Sequence, residues 1–315
     1  MDSILVTGGA GFIGSHLAQR LLRDGKRLAI VDNLDDFYSA DLKRANLKEV
    51  QAAGEFHFFQ ADVRDGQQLQ EVFAAFKPDA VIHLAARPGV RPSFAQPEAY
   101  TSINVGGTTQ VLEACRLHGV RRFVFGSSSS VYGGSSCGPF REDANISHPL
   151  SIYAATKVAG EALAFTYSHA YGLSVVCLRL FTAYGPRQRP DLAIRKFSGM
   201  ILRGEEVPIF GDGTLLRDYT YVNDIVDGIV LALNASGNFE VYNIGNSNPI
   251  SINEMVRMLG RALGKPVRCK YLPTPPGEML LTHADLTKAK EALGYSPKVT
   301  VQEGIRRFAE WISRG

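Results

Sequence analysis

The sequence predicts an α/β fold: a doubly wound parallel sheet with a smaller, mixed α/β lobe towards the C-terminus. Over the first half of the chain, short β-rich runs alternate with helical patterns. The strand runs are apolar almost throughout, as expected where helices cover both faces of a parallel sheet. Repeated β–α units of this kind favour right-handed crossovers. From residue 182 onward, prolines and the glycines Gly211 and Gly213 punctuate shorter elements, which indicates the second lobe.

The predicted strands and helices follow one another in regular alternation. The strands are residues 3–7, 27–31, 56–60, 80–84, 123–126 and 174–180. The helices are residues 11–22, 42–53, 69–76, 100–118 and 151–171. We therefore expect an N-terminal domain of residues 1–180, to which a strand near 239–245 returns. Residues 181–315 form the C-terminal domain, which ends in an amphipathic helix at 301–314.

The composition excludes several classes of protein. Of the 315 residues, 45% are hydrophobic and 21% charged, which is unlike a disordered chain, a collagen-like repeat or a coiled-coil rod. A formal net charge of +3 indicates binding to neither nucleic acid nor an anionic membrane. The four cysteines form no Cys-x-x-Cys pair, so we expect reduced thiols, a cytoplasmic location and no zinc site. We expect neither a membrane span nor a signal peptide.

A glycine-rich turn joins the first predicted strand to the first helix. Its sequence, TGGAGFIG, spaces Gly8, Gly11 and Gly14 three residues apart. A pyrophosphate must approach backbone N–H groups at a helix N-terminus, where a Cβ would block it. Asp32 ends the second strand, and a carboxylate there accepts hydrogen bonds from ribose hydroxyls and repels a 2′-phosphate. The pattern favours an NAD site of the Rossmann type over a plain strand–turn–helix junction.

A second group of residues has the chemistry of a catalytic site. Tyr153 and Lys157 lie four residues apart in a predicted helix and therefore share a face. An adjacent ammonium favours the phenolate and is expected to lower the tyrosine pKa. A serine cluster at 127–130 follows the fifth strand, where a hydroxyl can reach a substrate oxygen. Each pattern alone could be a solvated helix face or a flexible loop, but together with the glycine turn they indicate hydride transfer.

These features resemble the extended short-chain dehydrogenases/reductases, in particular the NAD-dependent nucleotide-sugar epimerases and dehydratases. The resemblance extends over essentially the whole chain. It implies a Rossmann NAD domain, a smaller nucleotide-sugar domain and a homodimer formed through the helices that begin near Tyr100 and Ser151. The motifs that carry it are residues 7–14, Asp32, Asp62-Val63, His83-Leu84-Ala85-Ala86, Asn104, residues 127–133, Tyr153, Lys157 and Arg217-Asp218-Tyr219.

The resemblance implies a role for each matching residue, and no metal ion. The catalytic residues are Ser128, Tyr153 and Lys157. The cofactor-binding residues are Gly8, Gly11, Phe12, Ile13, Gly14, Asp32, Asn33, Asp62, Val63, Leu84, Ala85, Ala86, Tyr153 and Lys157. The substrate-binding residues are Ser128, Ser129, Ser130, Thr182, Arg189, Phe210, Arg217, Arg91 and Glu278. Asn104 is implied to lie near cofactor and substrate, and the alternative for Arg217 is a surface ion pair with Asp218.

Resemblance also bears on the reaction. Dehydratases of the family place Asp-Glu before a Val-Tyr-Gly sequence, and UDP-glucuronate decarboxylases place a Glu there. This chain has Ser129 and Ser130 at those positions, as a simple epimerase would. Residues 182–191 are similar to the UDP-glucuronate 4-epimerase subgroup, in which Thr182 and Arg189 would hold the sugar carboxylate. A structural proline-rich turn is the alternative for this segment.

The resemblance therefore implies an isomerase that converts the UDP-sugar UDP-glucuronate to UDP-galacturonate. The reaction would use NAD and pass through a transient 4-keto sugar without decarboxylation. A UDP-glucose or UDP-N-acetylglucosamine 4-epimerase and a UDP-glucuronate decarboxylase remain alternatives within the family. A non-catalytic NAD-binding regulator is the alternative from a different class, because one fold can carry many functions.

Overall fold

A seven-stranded parallel sheet forms the centre of the protein, in the order β11-β6-β5-β4-β1-β2-β3. The computed structural model describes residues 1–134, 138–274 and 279–314. The strands of these ranges, numbered in chain order, are β1 (Ser3–Thr7), β2 (Arg27–Val31), β3 (His57–Phe59), β4 (Ala80–His83), β5 (Arg122–Ser128), β6 (Ser174–Leu180), β7 (Thr182–Tyr184), β8 (Glu206–Phe210), β9 (Leu216–Arg217), β10 (Tyr219–Tyr221), β11 (Phe239–Ile244), β12 (Ile250–Ser251) and β13 (Arg268–Leu272).

Helices cover both faces of this sheet and build the second lobe. Those in the described ranges are α1 (Phe12–Arg23), α2 (Ala40–Gln51), α3 (Gly66–Phe76), α4 (Val90–Ala95), α5 (Pro97–Tyr100), α6 (Gly107–Leu117), α7 (Ile152–Tyr171), α8 (Ala193–Leu202), α9 (Val222–Ala232), α10 (Ile252–Leu263), α11 (Thr287–Leu293) and α12 (Val301–Ile312). A π-helical segment, Thr101–Gly106, and a 3₁₀ turn, Ser129–Tyr132, complete the set. In the described ranges, no helix is long and apolar enough to span a bilayer.

The alternation of side chains along each strand divides the core into two layers. In β1, Ile4 and Val6 face α1 and α9, whereas Leu5 faces α3 and α6. All three side chains are fully buried, which explains why the strand sequences are apolar without alternation. The predicted doubly wound α/β fold is confirmed. The strand order reverses between β1 and β4, so a crevice opens at the carboxyl ends of these strands.

Two of the differences between predicted and observed elements lie beside this crevice. The helix predicted over 100–118 is interrupted by the π-helical segment. The side chains of Thr108 and Thr109 in α6 donate hydrogen bonds to the carbonyls of Asn104 and Val105 within that segment. The fifth strand is longer than predicted, because β5 remains paired with β6 as far as Ser128. Ser127 and Ser128 are therefore held in the sheet and do not belong to a flexible loop.

The chain after β6 builds the second lobe and also returns to the sheet. β11 pairs in parallel with β6, and α9 and α11 pack against the sheet. The lobe has its own apolar core from α8, α10, α12 and β8, which includes Phe197, Met255 and Phe308. Parallel pairing of β7 with β10 joins the two parts just beyond the end of β6. The division into domains at residue 180 stays a prediction.

Candidate active site

The described residues form a cavity of about 460 Å³ at the carboxyl ends of β1, β4 and β5. Ligands of open α/β sheets bind at this position, where the strand order reverses. Residues predicted from widely separated parts of the sequence meet here. Those that line the cavity are Gly8, Gly11, Phe12, Ile13, Gly14, Asp32, Asn33, Asp62, Val63, Leu84, Ala85, Ala86, Ser128, Ser129, Ser130, Tyr153, Lys157, Thr182 and Arg189.

The glycine-rich turn forms one wall of the cavity. Gly8 has a φ of +73°, and a Cβ there would lie 2.7 Å from the backbone nitrogen of Ala85. A Cβ at Gly14 would collide with the carbonyl oxygen of Gly8. Because α1 begins at Phe12, which lines the cavity, its unpaired N-terminal N–H groups form an anion-binding position beside this wall.

Asp32 directly follows β2 and places a carboxylate against the cavity. Its two oxygens accept hydrogen bonds from the backbone N–H groups of Ala10, at 3.1 Å, and Leu34, at 2.9 Å. Burial raises the pKa of Asp32, and the ammonium of Lys43 opposes that shift. Lys43 donates to the carbonyl of Asp35 at 2.6 Å and also lines the cavity. Sequence reasoning did not single out Lys43, since a lysine in a helix is normally exposed.

A second carboxylate lies next along this wall. Asp62 accepts a hydrogen bond from Asn33 Nδ2 at 3.0 Å and pairs with the guanidinium of Arg64 at 2.7 Å. The hydrogen bond with Arg64 lowers the pKa of Asp62, so this carboxyl is ionised at neutral pH. Asn33 and Asp62 therefore form one polar edge beside Asp32.

Tyr153 and Lys157 lie on the face of α7 that packs against β5. Ser151 starts the helix by accepting a hydrogen bond from the backbone N–H of Ala154 at 3.1 Å. Lys157 is buried, and its Nζ donates to the carbonyl of Gly126 at 2.7 Å. The same Nζ lies 5.9 Å from the centre of the Tyr153 ring. The two predicted catalytic side chains therefore share one end of the cavity.

The ionisation of this pair differs from the sequence-based expectation. Desolvation raises the pKa of Tyr153, although a hydrogen bond with Ser128 and the charge of Arg189 oppose the shift. Desolvation also lowers the pKa of Lys157 to about 8, while Glu161 favours its charged form. The expected lowering of the Tyr153 pKa is thus not found in the chain by itself. Loss of solvation outweighs the opposing effects of Ser128 and Arg189.

Ser128, the last residue of β5, links this pair to the serine cluster. Its Oγ donates to Ser130 Oγ at 3.1 Å and accepts from the Ser130 backbone N–H at 3.2 Å, which caps the 3₁₀ turn. Ser128 also opposes the rise in the pKa of Tyr153, and both residues line the cavity. A strand end holds Ser128 more firmly than a loop would, so its hydroxyl is positioned in advance.

The opposite side of this end of the cavity carries two arginines. Arg189, on the loop between β7 and α8, has its guanidinium carbon 5.8 Å from the centre of the Phe37 ring. The guanidinium carbon of Arg87 lies 5.4 Å from the same ring. Thr182, the first residue of β7, also lines this region. A hydroxyl and guanidinium groups near the catalytic pair are suited to binding a carboxylate.

With this geometry in view, comparison with known proteins identifies the family. The model of the family described as GDP-mannose 4,6 dehydratase matches residues 5–308. The chain belongs to this family. It is one of the extended short-chain dehydrogenases/reductases, as the motifs predicted.

Three relatives of this family illustrate the similarity. A UDP-glucuronate 4-epimerase of Thermodesulfobacterium geofontis is 43% identical over 312 residues, which cover 99% of this chain and 96% of that protein. The UDP-glucuronic acid 4-epimerase of Bacillus cereus, solved with UDP-glucuronic acid and NAD, is 39% identical, with a TM-score of 0.93 and 99% of each chain covered. The UDP-glucose 4-epimerase of Thermotoga maritima, solved with UDP-glucose, is 35% identical, with a TM-score of 0.92 over 100% of this chain and 99% of that one.

Among the described residues, three predicted substrate residues, Arg91, Phe210 and Arg217, do not line the cavity. The guanidinium carbon of Arg91 lies 4.1 Å from the centre of the Phe210 ring, so these two are brought together beside Val90, which does line it. Arg217, in β9, donates to the carbonyl of Leu216 at 2.9 Å. Glu278 lies outside the described residues. Roles for these four in substrate binding stay predictions.

The surface ion pair offered as the alternative for Arg217 does not fit the position of Asp218. Asp218 is fully buried, and its carboxylate accepts hydrogen bonds from the backbone N–H groups of Asn246, Ser247 and Ala284, at 2.8–3.0 Å. It ties three segments of the second lobe together. The carboxylate therefore has a structural role.

Asn104 lies in the π-helical segment and fixes two parts of the site. Its Oδ1 accepts the backbone N–H of Arg87 at 2.7 Å, and its Nδ2 donates both to the Arg87 carbonyl and to Thr156 Oγ1, each at 3.0 Å. The segment that carries Arg87 is thereby joined to α7. The sequence placed Asn104 near the site by resemblance only, because its partners are 17 and 52 residues away.

Sequence reasoning missed a buried ion pair behind the catalytic residues. Glu161 accepts from Arg179 Nε at 3.1 Å and Nη2 at 2.9 Å, and from Ser127 Oγ at 2.5 Å. Two signals were available. Glu161 continues the four-residue spacing of Tyr153 and Lys157, and Arg179 interrupts an otherwise apolar strand.

Metal binding has no comparable support, since the described residues contain no cluster of His, Cys, Asp or Glu that could hold an ion.

Proposed function

We propose that this protein catalyses the NAD-dependent 4-epimerisation of UDP-glucuronate to UDP-galacturonate. One observation carries the proposal: Ser128, Tyr153 and Lys157 share a cavity with Thr182 and Arg189. The first three residues can orient a sugar hydroxyl and take its proton, while a bound nicotinamide would accept the hydride. The other two suit a sugar that carries a carboxylate. The relatives named as UDP-glucuronate 4-epimerases support the same assignment.

The cavity fits NAD as its cofactor. A Cβ at Gly8 or Gly14 would collide with neighbouring backbone, so only glycine lets the turn pack this closely beside the N-terminus of α1. That arrangement suits a pyrophosphate. Asp32 and Asp62 present oxygens suited to ribose and adenine groups, and the negative charge of Asp32 disfavours a 2′-phosphate. When bound, NAD supplies the acceptor for the hydride from sugar C4 and the donor that returns it.

Tyr153 is the general base and acid in this proposal. Its phenolate takes the proton of the sugar 4-hydroxyl and later gives a proton back to the 4-oxygen. Lys157 supplies the nearby positive charge that favours the phenolate, while its bond to Gly126 holds the ammonium in place. Ser128 donates to the sugar oxygen and aligns it with Tyr153. The 4-keto sugar then turns so that the hydride returns to its opposite face.

The carboxylate of the sugar needs restraint during this reaction. The 4-keto intermediate is a β-keto acid, which loses carbon dioxide when the C5–C6 bond aligns with the ketone π system. A bidentate contact with Arg189 and a hydrogen bond from Thr182 would hold another orientation. Ser129 and Ser130 place no carboxylate before Val131, which matches an epimerase within the family.

Proton NMR of the purified protein with UDP-glucuronate and NAD in D₂O tests the proposal. We expect UDP-galacturonate with hydrogen retained at C4, because the hydride never exchanges with solvent. A UDP-pentose would indicate a decarboxylase. Conversion of UDP-glucose to UDP-galactose without turnover of UDP-glucuronate would give Thr182 and Arg189 a structural role. Arg189→Ala should weaken binding of UDP-glucuronate and leave that of UDP-glucose nearly unchanged, whereas equal effects on both would remove the carboxylate contact from the proposal.

We also propose that the protein is a homodimer formed through α6 and α7. These helices pack against each other and expose large apolar side chains: Leu117 at 55%, Phe165 at 51% and Tyr171 at 57%. Sedimentation analysis should give twice the mass of the chain, and Ala162→Arg, on the exposed side of α7, should give a monomer. A wild-type monomer would contradict the proposal. The cytoplasmic location stays a prediction.

A further inference from the structure

The loop that carries Arg189 is anchored on both sides of this residue. Arg187 donates from Nη2 to Gln19 Oε1 on α1, at 2.7 Å. Gln188 donates from its side chain to the carbonyl of Ala183 in β7, at 3.2 Å. The backbone N–H of Leu192 donates to the carbonyl of Arg189, at 3.2 Å. These bonds fix the backbone at Arg189, but they leave the direction of its long side chain to another contact.

Asp191 provides that contact. Its Oδ1 accepts from Arg189 Nε at 3.0 Å, and its Oδ2 accepts from Arg189 Nη2 at 2.9 Å. A guanidinium has five N–H groups on three edges, so two carboxylates can bind it side by side. Asp191 takes the edge formed by Nε and Nη2. Within the described part of the chain, the edge formed by Nη1 and Nη2 has no other hydrogen-bond partner, and Arg189 itself lines the cavity.

An arginine followed two residues later by an acidic residue also occurs at Arg141 and Asp143, and the exposure of the two pairs differs. Arg141 and Asp143 make the same two bonds, at 3.2 and 3.3 Å, but both side chains are about 70% exposed. Such surface pairs contribute little, since water competes for every bond. Arg189 is only 16% exposed, and it faces the catalytic end of the cavity. Its partner is therefore placed to affect what the cavity binds.

We propose that Asp191 is a positioning residue: it holds one edge of the Arg189 guanidinium so that the other edge is presented to the carboxylate of the sugar. This inference rests on the proposed function. Without the bond to Asp191, the arginine side chain can rotate about its own axis, and its two N–H donors no longer point at one fixed place. Pre-organisation of this kind matters most for a group that must restrain the substrate while the ring turns.

The inference predicts a change of product as well as of affinity. If the sugar carboxylate is held loosely at the 4-keto stage, the C5–C6 bond can align with the ketone. That bond then breaks, its electron pair moves to the 4-oxygen as an enolate, and carbon dioxide leaves. Protonation of the enolate at C5 restores the ketone. Return of the hydride taken in the first step, with a proton at the 4-oxygen, completes a UDP-pentose.

Asp191→Asn tests the proposal, because it removes the charge and one acceptor while it preserves size. We expect KM for UDP-glucuronate to rise about tenfold, as for loss of a charged hydrogen bond, and a UDP-pentose to appear in the NMR spectrum. The affinity for UDP-glucose, measured by direct binding, should not change. Asp191→Glu should restore most of the wild-type behaviour, since Glu205 already makes the same two-bond contact with Arg203 in this chain, at 2.6 and 2.9 Å. Asp143→Asn is the matched control.

The outcomes separate this inference from the proposed function. If the wild-type protein makes no UDP-galacturonate, the proposed function itself fails. If the wild type is active and Asp191→Asn leaves KM and product unchanged, Asp191 has no positioning role. A lower KM in Asp191→Asn without any UDP-pentose would mean that Asp191 competes with the sugar carboxylate, and it would also overturn the proposal. Unchanged NAD content and thermal midpoint in each variant show that the fold is intact.

Discussion

Replacing Glu161 by glutamine is expected to destabilise the protein by about 3–5 kcal/mol, because the buried guanidinium of Arg179 loses its counter-charge. The side chains of Arg179 and Glu161 are only 4% and 6% exposed. Three hydrogen bonds converge on the carboxylate, two from Arg179 and one from Ser127. The glutamine amide can accept hydrogen bonds only on its oxygen. One of these donors would therefore face the amide N–H group, and no water could enter to accept its hydrogen bond. A protein of this size should then show a fall in Tm of roughly 10 °C.

A double-mutant cycle followed by urea unfolding and calorimetry measures this effect. Arg179→Met should destabilise the protein as well, while the double variant should be more stable than the sum of the single losses predicts, because it buries no unpaired charge. Glu205→Gln, which breaks an exposed pair with Arg203, is the control and should leave the unfolding midpoint unchanged. Additive losses in the cycle, or a Glu161→Gln variant as stable as the control, would refute the reasoning.

Three further outcomes are expected. Tyr153→Phe should reduce kcat by about 10³-fold with NAD content unchanged, as loss of a general acid–base group does, and a fully active variant would rule out this role. Gly8→Ala should abolish NAD retention, because φ is +73° and the new Cβ would lie 2.7 Å from the Ala85 nitrogen. Gly25→Ala is the control for backbone strain alone, since Gly25 has a φ of +72° but open space around it. Equal NAD retention in the two variants would refute the close-approach argument. Burial, with the charge of Lys157, lowers the pKa of the His83 ring from 6.5 to about 3, so the unfolded chain binds the extra proton first and stability should fall as pH drops from 6.5 towards 3. His83→Gln should reduce that pH dependence measured by urea unfolding, and an identical pH profile would contradict the assignment.

The parts of the site that depend on local spacing could be predicted from the sequence. Tyr153 and Lys157 share a face because four residues make about one helical turn, whatever surrounds the helix. Gly8 and Gly14 were recognisable because only residues without a Cβ permit such a close turn before a helix. The position of Asp32 followed from the end of a strand. All of these residues line one cavity.

Contacts between distant elements could not be predicted in the same way. Asn104 bonds to Arg87 and Thr156 because a π-helical segment turns its side chain towards both, and no periodic pattern in the sequence announces that segment. The pairing of Glu161 with Arg179 depends on how α7 lies across β6. The raised pKa of Tyr153 depends on desolvation, which is a property of the packed protein.

The sequence by itself determined the alternation of strands and helices, the glycine turn and the residue types of the catalytic group, because each follows from short-range geometry and from which side chains avoid water. Only the tertiary structure decided which edge of Arg189 is held by Asp191 and which charges are buried in pairs. It also brought Arg91 onto the ring of Phe210 and turned Asp218 into the second lobe. Such contacts depend on distances between elements far apart in the chain, and those distances are set only when the two layers of helices pack against the sheet.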